Sequence, residues 1–176
     1  MSGTVLCSRC WGSKLETSLL FKKQCNYCSG NGTITDTVLS PHFTLSELTR
    51  SDLALRKKMP NNPDDLIKNN LKLLANNILE PIITQFGDLN INSGYRSPEL
   101  NVALGGSKTS VHVLGCAADF VPVNKSIKLK DIVNWIVLNK KALGYDQVIY
   151  EGTWIHIGIK HLLSECRQQD LMMFNN

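Results

Sequence analysis

Ser110-Val111-His112-Val113-Leu114-Gly115-Cys116-Ala117-Ala118-Asp119 is the stretch from which the rest of the chain can be placed. An imidazole and a carboxylate stand seven positions apart, with one glycine between them and two alanines directly before the acid. Further along, Glu151-Gly152-Thr153-Trp154-Ile155-His156 adds a second histidine and a second acid. Two histidines and a carboxylate leave a bound zinc ion one open position, and the remaining acid can then act on water.

The segments around these residues read as strands. Residues 117–121 form a short one, with Ala117, Asp119 and Val121 on one face. Residues 147–151 and 154–159 form two more, joined by the turn Gly152-Thr153, a type II′ hairpin signal. In that hairpin Glu151 faces Trp154 and Ile149 faces His156, so Glu151, Trp154 and His156 point the same way. If the Asp119 strand neighbours the hairpin, His112, Asp119 and His156 converge. The small Ala117 and Ala118 permit the close approach.

Working outward, residues 33–43 look like a connector broken by Pro41, with His42 a surface loop residue. Thr44-Leu45-Ser46-Glu47 is a capping box, and Ser51 caps a following short helix. Pro60-Asn61-Asn62-Pro63 is a turn. Over residues 64–85 the apolar positions recur at helical spacing, with Pro81 expected to bend the helix or split off its last turn and Gly87 to end it. Residues 89–93 alternate as a strand that runs into Gly94-Tyr95-Arg96-Ser97-Pro98. Ser126 can cap a helix from about residue 128 to 143, which Gly144 stops, and residues 162–174 can form a last helix. The fold class is α+β: helices over a small, mainly antiparallel sheet.

The first 35 residues read as a separate unit. Cys7-Ser8-Arg9-Cys10 and Cys25-Asn26-Tyr27-Cys28 are two C-x2-C pairs with 14 residues between them, four thiolates for one structural zinc. So short a segment buries too little apolar surface to fold alone, and metal would supply its stability. Disulfides are the alternative, disfavoured in a reducing compartment. Cys25-Asn26-Tyr27-Cys28-Ser29-Gly30-Asn31-Gly32 resembles half of the cysteine-rich repeat of DnaJ-type co-chaperones; Cys7 to Lys14 matches it less well. That gives a zinc-knuckle module at 1–35, a connector at 36–42 and a main domain at 43–176.

In the main domain, Ser-x-His-x-x-Gly-x-Ala-x-Asp followed by Trp-x-His, and preceded by Ser-Gly-Tyr-Arg-Ser, resembles the zinc D-Ala-D-Ala peptidases of the Hedgehog/DD-peptidase fold. The similarity runs from about Phe43 to Ile159 and is closest to phage and bacterial peptidoglycan peptidases. It implies a catalytic zinc on His112, Asp119 and His156, with Glu151 as the catalytic acid and base. It also implies that Arg96 contacts a substrate carboxylate or carbonyl; Ser110 and Trp154 are taken as further substrate-binding residues, Trp154 reading on its own as a core or pocket-wall aromatic. Many relatives place the acid three positions before the last histidine; here Glu151 is five before it, with Asp146 as the fallback base, otherwise a solvated strand-start acid. Val111 stands where close relatives often have glutamine. His161 reads as a surface residue, and Cys116 and Cys166 as small reduced residues.

Composition constrains the setting. The chain carries a net charge of +4 with 43% hydrophobic and 19% charged residues, ordinary for a globular domain with an appendage. A mildly basic surface suits approach to an anionic polymer, whether nucleic acid, a membrane surface or a bacterial cell wall, and selects none of them; no run of basic residues interleaved with aromatics tracks single-stranded nucleic acid. No apolar run approaches the ~20 residues of a membrane span, and the N-terminus lacks the pattern of a secretory signal. The expectation is a monomeric zinc enzyme, with one catalytic and one structural zinc, that cuts peptidoglycan stem peptides. As a phage endolysin it would wait in the host cytoplasm before release to the wall. The alternatives are a non-catalytic zinc-stabilised module that binds cell wall or protein, and a knuckle-based nucleic-acid factor.

Overall fold

Alternation decides how the main sheet is used. In β6 (Ala117–Pro122), Ala118 and Phe120 are fully buried in the core, while Asp119 between them points to the other face. In β8 (Ile155–Ile159), Ile155 and Ile157 join that core and His156 does not. In β7 (Tyr145–Tyr150), Val148 is a core residue and its neighbours Gln147 and Ile149 line a cleft on the opposite side. One face therefore packs on helices and the other carries the polar chemistry, as the period of two requires.

The computed structural model describes residues 36–161 and 169–172, together with the backbone of four short strands nearer the N-terminus. Those strands are β1 (Thr4–Leu6), β2 (Leu15–Thr17), β3 (Lys22–Gln24) and β4 (Thr33–Thr35). β1 pairs antiparallel with β4 and β2 with β3, so the inner pair is nested in sequence inside the outer one. Cys7, Cys10, Cys25 and Cys28, on which the knuckle expectation rests, lie outside the described residues, as does Cys166.

The main sheet has five strands in the order β5-β6-β8-β7-β9, with β5 spanning Leu89–Ser93 and β9 spanning Gln169–Met172. Every pairing is antiparallel except β7 with β9. The α+β expectation with a mainly antiparallel sheet holds. The expected last helix over 162–174 does not: its described part is β9. A short apolar run fits either period, and here backbone pairing along the flank of β7 prevails. Three side-chain ties hold it there: Tyr145 Oη to Asp170, Lys140 Nζ to Asp170 at 2.9 Å, and Gln147 to Gln169 at 2.7 Å.

The helical layer begins with α1 (Leu45–Thr49), opened by the predicted capping box, in which Thr44 N donates to Glu47 Oε2 at 2.8 Å. Ser51 Oγ caps α2 (Asp52–Lys57) through the Ala54 amide. The long helix is α3 (Asp65–Leu74), a π-helical turn (Ala75–Leu79) and α4 (Glu80–Phe86) in one continuous run. Pro81 neither splits off the last turn nor breaks the run. Proline cannot donate to the carbonyl four residues back and its ring crowds that carbonyl. The wider turn just before it absorbs the conflict, with Glu80 N donating to Ala75 O. Leu71, Leu74, Ala75, Ile78, Leu79 and Ile82 thereby stay on one buried stripe against the sheet.

Two further helices complete the layer. α5 (Pro98–Ala103), over a segment left unassigned above, has Ser97 as N-cap and Pro98 in its first turn. The single helix expected over 128–143 is two, α6 (Leu129–Leu138) and α7 (Lys140–Leu143), divided at Asn139, whose Nδ2 donates to Trp135 O at 2.8 Å. Lys128, not Ser126, is the N-cap residue. No helix among the described residues is long and apolar enough to cross a membrane.

The stretch quoted at the outset is held from behind. Buried Asn70, a polar residue on the apolar stripe of α3, donates Nδ2 to Leu114 O at 2.8 Å. Next to it Gly115 has φ 67°, and a Cβ there would stand 2.7 Å from Ile67 Cγ2 and 2.9 Å from Ile67 O. Gly115→Ala is expected to cost more than the ~1–2 kcal/mol of left-handed backbone alone, because the helix must also retreat. Urea unfolding of the variant beside the parent chain measures it.

Candidate metal centre and its cleft

A single row of residues crosses the sheet: Ser93 opposite Asp119, Asp119 opposite His156, and His156 opposite Ile149. The Asp119 strand does neighbour the hairpin, which is the condition for convergence, and Ile149 opposes His156 in the register expected. The turn at Gly152 has the positive φ, 82°, that its glycine allows, and Glu151 N donates to Trp154 O at 3.0 Å. One departure from regular pairing matters. The ladder between β5 and β6 slips at Asn92, so Ile91 opposes Phe120 while Ser93 opposes Asp119. This bulge takes Ile91 to the core side and brings Ser93 round to the site.

Asp119 is the hub. Its Oδ1 meets His156 Nδ1 at 2.7 Å and His112 Nε2 at 3.2 Å, and its Oδ2 accepts from Arg96 Nη2 at 2.8 Å. Only 4% of His112 and 8% of Asp119 is exposed, so these partners must replace water. Burial pushes the Asp119 carboxyl up, but hydrogen bonds and charge from His112 and His156 outweigh it and hold the group well below its ordinary value. One donor atom from each of His112, Asp119 and His156 lies within 4.8 Å of the others, the only such trio among the described residues.

The second layer fixes these side chains. His112 sits in the 3-10 turn Val111–Leu114, and its Nδ1 donates to Gly94 O at 2.7 Å, which turns Nε2 toward Asp119. Arg96 is anchored twice: Nε donates to Ser93 Oγ at 2.8 Å, and its backbone N donates to His112 O at 3.2 Å. Gly94 admits no side chain, since a Cβ there would lie 2.3 Å from Leu48 O. Asn61 then staples the loop on both sides of Arg96. Its Nδ2 donates to Thr49 O at 2.7 Å and Tyr95 O at 3.1 Å, and its Oδ1 accepts from Ser97 N at 2.7 Å.

A cleft of about 410 Å³ opens over the trio, lined by Arg96, Ser110, Glu151 and Trp154 together with the three metal-ligand candidates. Every site residue expected for the main domain is therefore brought to one place. Trp154 is 37% exposed and forms wall, not core. Gln147, Ile149, Ser107 and Thr109 also line the cleft and were not anticipated. Asp146, the fallback base, is corrected: it is 4% exposed, so not solvated, and is absent from the cleft lining. Cys116 is buried, and burial followed by the charge of Asp146 pushes its thiol up to about 11, so it is chemically quiet. His42 is a surface residue paired with Glu80 at 2.7 Å, and His161 is outside the trio.

A family model described as Peptidase M15 matches residues 41–158. The chain belongs to the peptidase M15 family. The matched span holds the whole trio, Arg96, Glu151 and the Asn61 staple, and it makes the M15 chain a hydrolase whose substrates are peptides. No curated protein matches this M15 chain.

Of the residues not foreseen, Asn70 had a signal, being the one amide on an apolar helical stripe. Asn61 had none, since Asn62 beside it reads the same. Asn61→Ala is expected to lower stability by about 1–3 kcal/mol for each buried group it leaves unpaired, measured as a shift in urea midpoint at unchanged m-value. For Asp119 the sign follows from its lowered pKa. Its contribution in metal-free protein is full above the unfolded value near 3.8 and is lost as pH falls through the lower folded value. Asp119→Asn should therefore be less stable than the parent near neutral pH, by about 3 kcal/mol. The gap should close in acid-unfolding curves below pH 3.8.

Proposed function

We propose that the chain is a zinc peptidase that hydrolyses peptide bonds in peptidoglycan stem peptides, working as a phage endolysin. The observation that carries this reading is the convergence of His112, Asp119 and His156 under a cleft that also holds Glu151 and Arg96. The donor set suits zinc: two imidazoles and one carboxylate, with His112 already oriented through its other nitrogen. His112 Nε2, an Asp119 carboxylate oxygen and a His156 ring nitrogen would hold the ion. When bound, zinc supplies an acidified water and polarises the scissile carbonyl.

The protein residues do the rest. Glu151, on the cleft wall beside Trp154, accepts the proton of the attacking water and delivers it to the departing amine. Arg96 keeps Asp119 in place through Nη2 and retains Nη1 for the substrate carbonyl or a stem carboxylate. Trp154 offers an apolar wall and Ser110 a hydroxyl to the substrate. The scissile bond is that of an L-Ala–D-Glu endopeptidase or a D-Ala–D-Ala carboxypeptidase, which mass spectrometry of digested muropeptides distinguishes. The domain plan follows the same reading: a knuckle module at 1–35, a connector at 36–42 and the peptidase at 43–176. Cys7, Cys10, Cys25 and Cys28 carry a second, structural zinc, supported by three-residue β-ladders too small for a core of their own. The enzyme acts as a monomer, held in the host cytoplasm until the membrane opens.

Zinc-loaded protein should release new amino or carboxyl termini from purified peptidoglycan, and Glu151→Gln should bind zinc equally while losing about 10²–10⁴-fold in kcat. Release that is absent in the parent, or unchanged in Glu151→Gln, overturns the assignment. Metal analysis should find two zinc ions per chain, falling to one in Cys25→Ser.

A further inference from the structure

The catalytic cleft has a larger neighbour. A groove of about 760 Å³ shares Arg96, Asp119 and Trp154 with it and continues along all of β5. Its far wall is the α1–α2 corner, including Arg50, Leu53 and Arg56. β5 is the end strand of the sheet, paired on one flank with β6 and on the other with no strand among the described residues.

The register shows which backbone groups face the groove. Val123 N donates to Asp88 O at 2.8 Å, so Asp88 and Val123 are a hydrogen-bonded pair. Such pairs alternate along an antiparallel ladder, which makes Asn90 with Val121 the next one and turns the N–H and C=O of Leu89 and Ile91 outward. Neither residue is fully buried, and no hydrogen bond from these outward groups occurs among the described residues. Pro122, opposite Leu89, occupies a position where the ladder to β5 needs no donor.

We infer that this edge is the binding site for the extended part of the peptide substrate away from the scissile bond, which adds to the sheet as a further strand beside β5. The inference rests on the peptidase reading above. Its chemistry is main-chain recognition. Leu89 and Ile91 each offer one donor and one acceptor, two residues apart, roughly 7 Å along the strand. A peptide backbone repeats donors and acceptors at that interval, whereas a glycan presents hydroxyls without it. The groove therefore favours a peptide of several residues and tolerates varied side chains. Trp154 and Arg96, at the junction, turn the bound chain from the groove into the cleft.

The experiment compares kcat/KM of the zinc-loaded full chain on the shortest stem peptide it cuts and on the same peptide lengthened by three residues on either side. Lengthening on one side is expected to raise kcat/KM about tenfold, chiefly through KM. Methylating alternate amide nitrogens of the extension should abolish the gain, because edge pairing needs them. Arg56→Trp, which fills the groove from its far wall, should bring the long-to-short ratio towards one. A ratio near one in the parent protein, or a gain untouched by both N-methylation and Arg56→Trp, overturns the edge assignment and leaves the peptidase reading standing. Failure to cut a peptide of any length removes both.

Discussion

A carboxylate buried between two imidazoles and a guanidinium sets the terms for this structure. Asp119 has traded water for His112, His156 and Arg96, and a buried charge is tolerable only while such partners stay in reach. Arg96 is the partner that meets the second carboxylate oxygen, Oδ2, and its planar fork makes that contact directional. That explains how much of the molecule serves to hold it: the Ser93 hydroxyl, the His112 carbonyl and the Asn61 amide on both flanks. The loop that carries Arg96 also supplies the carbonyl that orients His112. One short segment thus fixes two of the groups around Asp119.

The two faces of the sheet are coupled through the same strands. Ala118 and Phe120 lock β6 to the helices, and Asp119 between them inherits that rigidity. Ile155 and Ile157 do the same for His156. A constellation built on paired strands of a packed sheet is held more tightly than one built on loops. The π-helical turn belongs to this scheme. It lets a proline sit in the long helix while the residues on either side of it stay on the sheet-facing stripe.

Much of this was legible in the chain, because it depends on short-range periods. Alternation placed Asp119 and His156 on the same face, and a two-residue turn with glycine set the register of Ile149 against His156. The capping box at Thr44 is equally local. What escaped depends on partners distant in sequence. The role of Asn61 arises only when residues near 49, 95 and 97 meet around it. Residues 169–172 became a strand because β7 presented an open flank, which no reading of residues 162–174 by themselves contains. Asp146 looked like a solvated strand-start acid and is instead buried on a strand whose polar neighbours serve the cleft.

The bulge at Asn92 places a different kind of demand on descent. Because one extra residue flips which side Ser93 faces, the spacing between Ile91 and Arg96 is fixed as a count, independent of which side chains fill it. Substitutions at exposed Asn90 or Asn92 leave that count intact, whereas deleting a single residue would turn Ser93 into the core and withdraw the hydroxyl on which Arg96 rests. Insertions and deletions among relatives should therefore collect in segments such as the loop after Lys57 or the turn at Gly152, while the interval from Leu89 to Arg96 keeps its length as its residues drift.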